Sequence, residues 1–62
     1  MIVKKSYGED YIIMKVTNIK TNKAGTWTTL IGQLINEKGC ENFREFEELN
    51  LHLNNDVEVI EP

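Results

Sequence analysis

Apolar and polar positions along the chain alternate in short runs separated by clusters of turn-forming residues. The clusters are Ser6-Tyr7-Gly8-Glu9-Asp10, Thr21-Asn22-Lys23-Ala24-Gly25, Glu37-Lys38-Gly39 and Asn54-Asn55-Asp56. Their residues tolerate positive φ or form local side-chain turns, which is why they punctuate extended segments. They divide the chain at roughly 2–5, 10–20, 26–36, 40–53 and 57–61, and this close spacing predicts a mainly antiparallel β domain. Ile12, Met14 and Val16 share one face of the second segment, and Tyr11 and Ile13 lie on the other with Lys15 and Thr17. Thr26-Trp27-Thr28-Thr29-Leu30-Ile31 is rich in the β-branched and aromatic residues that suit a pleated surface. Gly32 interrupts that run, as glycine does at a bulge or sharp bend. Glu37-Lys38-Gly39 fits a three-residue hairpin loop with glycine in the left-handed position. Val57-Glu58-Val59 alternates, and Ile60 is expected to turn inward after it.

Segment 40–53 carries two periods at once. Phe43, Phe46, Leu49 and Leu53 fall at spacings that make one helical face, with Asn42 as a candidate cap and Glu45 completing a capping box. Leu49, Leu51 and Leu53 also alternate with Asn50 and His52, a period of two. A short helix over about 42–49 followed by extended chain satisfies both, which makes an α+β domain the alternative to a purely β one. Ile2-Val3 and Val57-Glu58-Val59 stand near opposite ends of the chain and are expected to pair and close the sheet, removing exposed edges. The expected fold is mainly β: a single small domain over residues 1–62, with about five antiparallel strands. In plan it resembles an SH3-like or OB-like half-open barrel. No family motif accompanies that resemblance, so it assigns no functional residue.

Size and composition narrow the function more than they identify it. A 62-residue chain hides only about 60% of the surface its unfolded form exposes, so one small core fits and an enclosed catalytic chamber does not. Cys40 and His52 are the only cysteine and histidine, which leaves no internal disulfide, no paired-histidine metal site and no expected cofactor. Small secreted domains usually rely on disulfides, so a cytoplasmic location is expected. No secretory segment is visible at the N-terminus, no membrane association is expected, and the start at Met1 suggests a complete small gene product. Seven Asn, seven Ile and six Lys stand against one Ala, one Arg and one Pro, a bias that fits an AT-rich bacterial, phage or plasmid genome.

Catalysis finds no motif to carry it. Cys40 follows a turn glycine with no histidine near it in sequence, and a buried or inert thiol is expected. His52 lies between Leu51 and Leu53, where a solvent-facing histidine at the end of an element is expected. The glycines match no phosphate-binding fingerprint, and no carboxyl pair stands out as a general acid and base. The expectation is a chain that is not an enzyme.

Charge changes the picture. The formal net charge of −3 averages two unlike parts. Residues 1–23 hold five lysines against Glu9 and Asp10, a net +3, whereas residues 24–62 hold Lys38 and Arg44 against eight carboxylates, a net −6. Segregated charge orients partners and speeds their association, although it also serves simply to keep a small domain soluble. In a helical segment 42–49, Glu41, Glu45 and Glu48 would form one acidic stripe, a device that can occupy a basic nucleic-acid channel. Lys15, Lys20 and Lys23 lie near Trp27 and Tyr11, the parts of a single-strand nucleic-acid binder. A pI near 5 and a single arginine oppose that use.

A domain of this size cannot bury both faces of two strands. Tyr11, Ile13 and Trp27 are therefore candidates for an exposed apolar patch, the usual mark of an interface, and a homodimer through it would support a small core. The sequence thus points to a non-enzymatic module that binds another protein, such as an inhibitor or accessory protein. Tyr11, Ile13 and Trp27 would supply apolar contact and Glu41, Glu45 and Glu48 charge. The second reading is a small nucleic-acid-binding barrel using Lys15, Lys20, Lys23 and Trp27.

Overall fold

The computed structural model describes residues 1–62 and contains five strands: β1 (Ile2–Tyr7), β2 (Asp10–Thr21), β3 (Thr28–Lys38), β4 (Leu49–His52) and β5 (Val57–Glu61). One 3-10 turn, Glu41–Glu45, lies between β3 and β4. All strands belong to a single antiparallel sheet in the order β4-β3-β2-β1-β5. The first four strands form a meander, and β5 returns beside β1. The mainly β, five-stranded domain expected from the sequence is the one observed. The terminal strands pair as expected, with Val3 opposite Val59 and Lys5 opposite Val57. That pairing does not close the sheet into a ring, because β4 and β5 remain its two edges.

The sheet curves around an inner face that holds Val3, Ile12, Met14, Leu30, Leu49 and Leu51, with Cys40 joining them from beyond β3. Cross-strand register puts these residues on one face: Met14 is opposite Val3 and Leu34, and Leu30 is opposite Leu51. Val16, Leu34, Phe43 and Val57 pack around that cluster, so the 3-10 turn contributes Phe43 to cover it. Two bulges bend the long β2–β3 hairpin. Ile35 is the extra residue where Ile13 faces Asn36 and Met14 faces Leu34, and Thr17 is the extra residue where Val16 faces Gly32 and Asn18 faces Ile31. The Thr17 hydroxyl donates to the Ile31 carbonyl at 3.3 Å, which occupies a backbone acceptor where the ladder is disturbed.

Gly32 sits at the second bulge, as its position within the apolar run suggested. A Cβ there would overlap the Lys15 carbonyl oxygen and lie 2.8 Å from its carbon. Gly39 is left-handed at φ 71°, also as expected. It does not close a hairpin, however, since β3 runs through Lys38 and the chain then crosses the 3-10 turn to β4.

The helical reading of 42–49 requires correction. Helix geometry is limited to the 3-10 turn Glu41–Glu45, Cys40 occupies the cap position, and no side chain caps it. An α-helix there would have aligned like charges at Glu41 and Glu45, an unfavourable spacing, and short helices are marginal in isolation. It would also have removed Leu49 from the sheet. The ladder instead places Leu49 opposite Gly32 and Leu51 opposite Leu30, burying both leucines on the inner face. Phe46 and Leu53, which the helical face would have buried, are 56% and 47% exposed. Ile60 does not turn inward either and is 47% exposed, because the register shift between Ile2 and Val3 leaves it unpaired on the edge strand.

Candidate interaction surfaces

The outer face of the sheet is the opposite set of register positions. Lys4 faces Ile13, Lys15 faces Gln33 and Ile2, Tyr11 faces Lys38 and Ser6, and Lys20 faces Thr29, which in turn faces His52. Across β1 to β4, these outer positions include four lysines and no carboxylate, with Glu58 and Glu61 confined to the edge strand β5. Residues 11–36, nearly the whole β2–β3 hairpin, contain Lys15, Lys20 and Lys23 and no acidic residue. The charge division along the chain is kept only in the hairpin, since the basic strand β1 pairs with the acidic β5 and sets Lys4 opposite Glu58. A basic hairpin is framed by acidic groups in the 3-10 segment and on β5.

The structure separates the residues singled out as an apolar patch. Tyr11 and Ile13 are half-buried at one end of the hairpin, where the Lys4 ammonium lies 4.5 Å from the Tyr11 ring centroid. Trp27 is 57% exposed beside the opposite end. Seven residues of strand separate Ile13 from Lys20, about 23 Å at the usual rise, so these three side chains do not form one contact. Ile31, also on the outer face, is 8% exposed, which further limits any continuous patch there.

Trp27 is held by its turn. Its N–H donates to the Asn22 side-chain oxygen at 3.1 Å, its carbonyl accepts from the Asn22 N–H at 3.3 Å, and the Asn22 amide donates to Thr26 at 2.7 Å. The indole meets the exposed His52 ring edge-on, with centroids 6.4 Å apart. Lys20, Lys23 and Trp27 thus belong to one hairpin tip, with Lys15 further along the same outer face.

The acidic residues gather elsewhere. Glu41, Glu45 and Glu48 are all exposed, but they do not form a helical stripe because the 3-10 turn ends at Glu45. Arg44, the cation of this segment, bridges Glu37 at 2.8 Å. Glu37 accepts from the Arg44 Nε at 3.0 Å and from the Cys40 backbone N–H at 2.9 Å. These bonds, the Cys40 N–H foremost and then Arg44, hold the Glu37 carboxyl below its ordinary pKa. Its folded pKa is therefore lower than its unfolded one, so the stabilisation is present above the unfolded value, about 4.3, and is lost as pH falls through the folded value. In urea titrations at successive pH values, Glu37→Gln should flatten the acid-side loss of stability relative to the native chain.

Phe46 and Ile35 are exposed apolar residues that the sequence did not single out for contact. Together with Leu34, Asn36, Glu37 and Arg44 they line a cleft of about 240 Å³. Ile35 reaches it from the β3 bulge and is 52% exposed, while Phe46 reaches it from the end of the 3-10 turn. The available signal was Phe46 itself, an aromatic set between Glu45 and Glu47, whose charges resist burial.

Cys40 is buried, as expected, and its thiol pKa is raised by burial and then by the Asp10 and Glu37 charges. His52 is exposed at the end of β4. No helix is long and apolar enough to cross a membrane. Comparison with protein-family models, with curated proteins and with solved structures finds no match to this chain.

Proposed function

We propose that this chain is a non-enzymatic protein-binding module, an inhibitor or accessory protein of the cytoplasm. One observation carries this reading. Nine large apolar side chains are substantially exposed, against seven buried residues in the core cluster. Scattered exposed apolar residues are ordinary, but here several are fixed outward by specific backbone features. The Asn22 turn presents Trp27, the β3 bulge presents Ile35 and the 3-10 turn presents Phe46. Aromatic side chains held in place in this way are the usual energetic anchors of interfaces. Relative to the residues picked from sequence, the weight moves from Tyr11 and Ile13 to Phe46 and Ile35. Trp27 and the acidic residues Glu41, Glu45 and Glu48 remain.

The test is affinity capture from the native cell, followed by reconstitution with the purified captured protein. Trp27→Ala or Phe46→Ala should weaken the reconstituted complex at least about tenfold, or 1.4 kcal/mol. A complex indifferent to both substitutions would contradict the reading.

The carboxylate-free stretch 11–36 of the hairpin favours a second reading, single-stranded nucleic-acid binding through Lys15, Lys20, Lys23 and Trp27. It predicts that a labelled oligothymidylate binds at low salt, with log affinity falling against log salt at a slope of about −0.7 per phosphate neutralised. Absence of a complex at high micromolar protein eliminates it.

A further inference from the structure

The hairpin tip and the rim of the cleft are complementary in charge and in apolar character, while the two charges that line the cleft itself, Glu37 and Arg44, pair with each other. The tip presents Trp27, the only tryptophan, beside Lys20 and Lys23, with no carboxylate anywhere in residues 11–36. The cleft presents Ile35 and Phe46 with Glu45 and Glu47 on either side of Phe46 in the chain, and its own cation, Arg44, is committed to Glu37. A closed apolar cavity of about 150 Å³ accommodates benzene, so an open cleft of about 240 Å³ has room for the face of an indole.

The two surfaces cannot meet within one molecule. The tip precedes Thr28 at the start of β3 and the cleft is lined by residues near its end, from Leu34 to Glu37. Seven residues of strand lie between Thr28 and Ile35, about 23 Å, in a molecule 34 Å along its longest axis. Two copies lying side by side in opposite directions would bring each tip to the other's cleft. Such an arrangement is a closed twofold one, in which both contacts form together and no chain of copies propagates. A single tip in a single cleft falls well short of the roughly 800 Å² per partner that stable interfaces bury, so the paired contacts matter.

We infer that the occupant of the Ile35–Phe46 cleft is the Trp27 hairpin tip of a second copy of this chain, in a reciprocal, charge-complementary dimer. The inference extends the protein-binding reading to the chain itself and can fail independently of it.

Charge exchange provides the test. Lys20, Lys23, Glu45 and Glu47 are all exposed, so their replacement leaves the core untouched. By sedimentation velocity in low-salt buffer, the native chain should approach twice its 7.2 kDa mass with rising concentration and dissociate at high salt. The double variant Lys20→Glu, Lys23→Glu and the double variant Glu45→Lys, Glu47→Lys should each self-associate at least tenfold more weakly. Mixed in equal amounts they should associate again, since each acidic tip then meets a basic cleft and each basic tip an acidic one. Tryptophan emission should shift to the blue in the native dimer and in the mixture, and in neither variant alone.

A native chain monomeric at every concentration overturns the inference. So does a dimer unaffected by either pair of reversals, or a mixture of variants, folded by circular dichroism, that stays monomeric. A monomeric chain that binds a foreign protein through Phe46 overturns the inference and leaves the protein-binding reading standing. A dimer that behaves as expected but captures no other protein supports the inference and sinks the inhibitor or accessory role.

Discussion

Gly32→Ala is expected to cost the chain a large part of its stability. The added Cβ would collide with backbone, overlapping the Lys15 carbonyl oxygen and standing 3.0 Å from the Val16 Cα. A flexible side chain could move aside, but these atoms are held by the ladder in which Val16 faces Gly32 and Lys15 faces Gln33. Relief would require β2 and β3 to separate at the bulge. The same movement would disturb β4, because Leu49 pairs with Gly32 from the other side. Overpacking in a well-packed region typically costs about 1–3 kcal/mol and occasionally more; a clash with fixed backbone belongs at the upper end. A domain of this size has a total stability of only about 3–9 kcal/mol. Urea denaturation followed by circular dichroism should show Gly32→Ala without a native baseline or with a sharply lowered midpoint. A midpoint near that of the native chain would mean that the two strands approach less closely at Gly32 than described.

Met14→Ala is expected to cost about 2–5 kcal/mol, the range for removing a fully buried long apolar side chain. Met14 is 0% exposed and lies between Val3 on β1 and Leu34 on β3, so it joins three strands at the centre of the inner face. No other large side chain can fill its space without leaving its own register position. The informative comparison is Ile60→Ala, on a residue 47% exposed on the edge strand. That change should stay near the roughly 0.5 kcal/mol typical of surface substitutions. Similar midpoints for the two variants would contradict the assignment of inner and outer faces.

The strands were legible because their signals are local. Alternation at Ile12, Met14 and Val16, turn residues at Asn22 and Gly25, and the glycine within the third segment each report on a few neighbouring positions. The segment after Gly39 was not legible in the same way. Its apolar residues fit a helix and a strand equally well, and the choice was made by distant partners, Gly32 and Leu30, which draw Leu49 and Leu51 into the sheet. Local propensity could not report that pairing.

The candidate surfaces follow the same division. The charge asymmetry could be counted directly, and it became a basic hairpin framed by acidic groups. What could not be read was which apolar residues remain outside. Tyr11 and Ile13 are half-buried by neighbouring strands, whereas Ile35 is turned out by a bulge whose position depends on register across β2 and β3. Phe46 is exposed because the helix that would have buried it stops at Glu45.

In the proposed role, Trp27 and Phe46 touch protein when the chain is at work. Site-specific photo-crosslinking in the native cell tests this most directly, with a benzophenone amino acid in place of Trp27, of Phe46 or, as a control, of the exposed turn residue Asn55. Discrete protein adducts are expected from the first two positions and none from the third. The absence of protein adducts from Trp27 and Phe46 in a folded chain, or equal adducts from all three positions, would contradict that role.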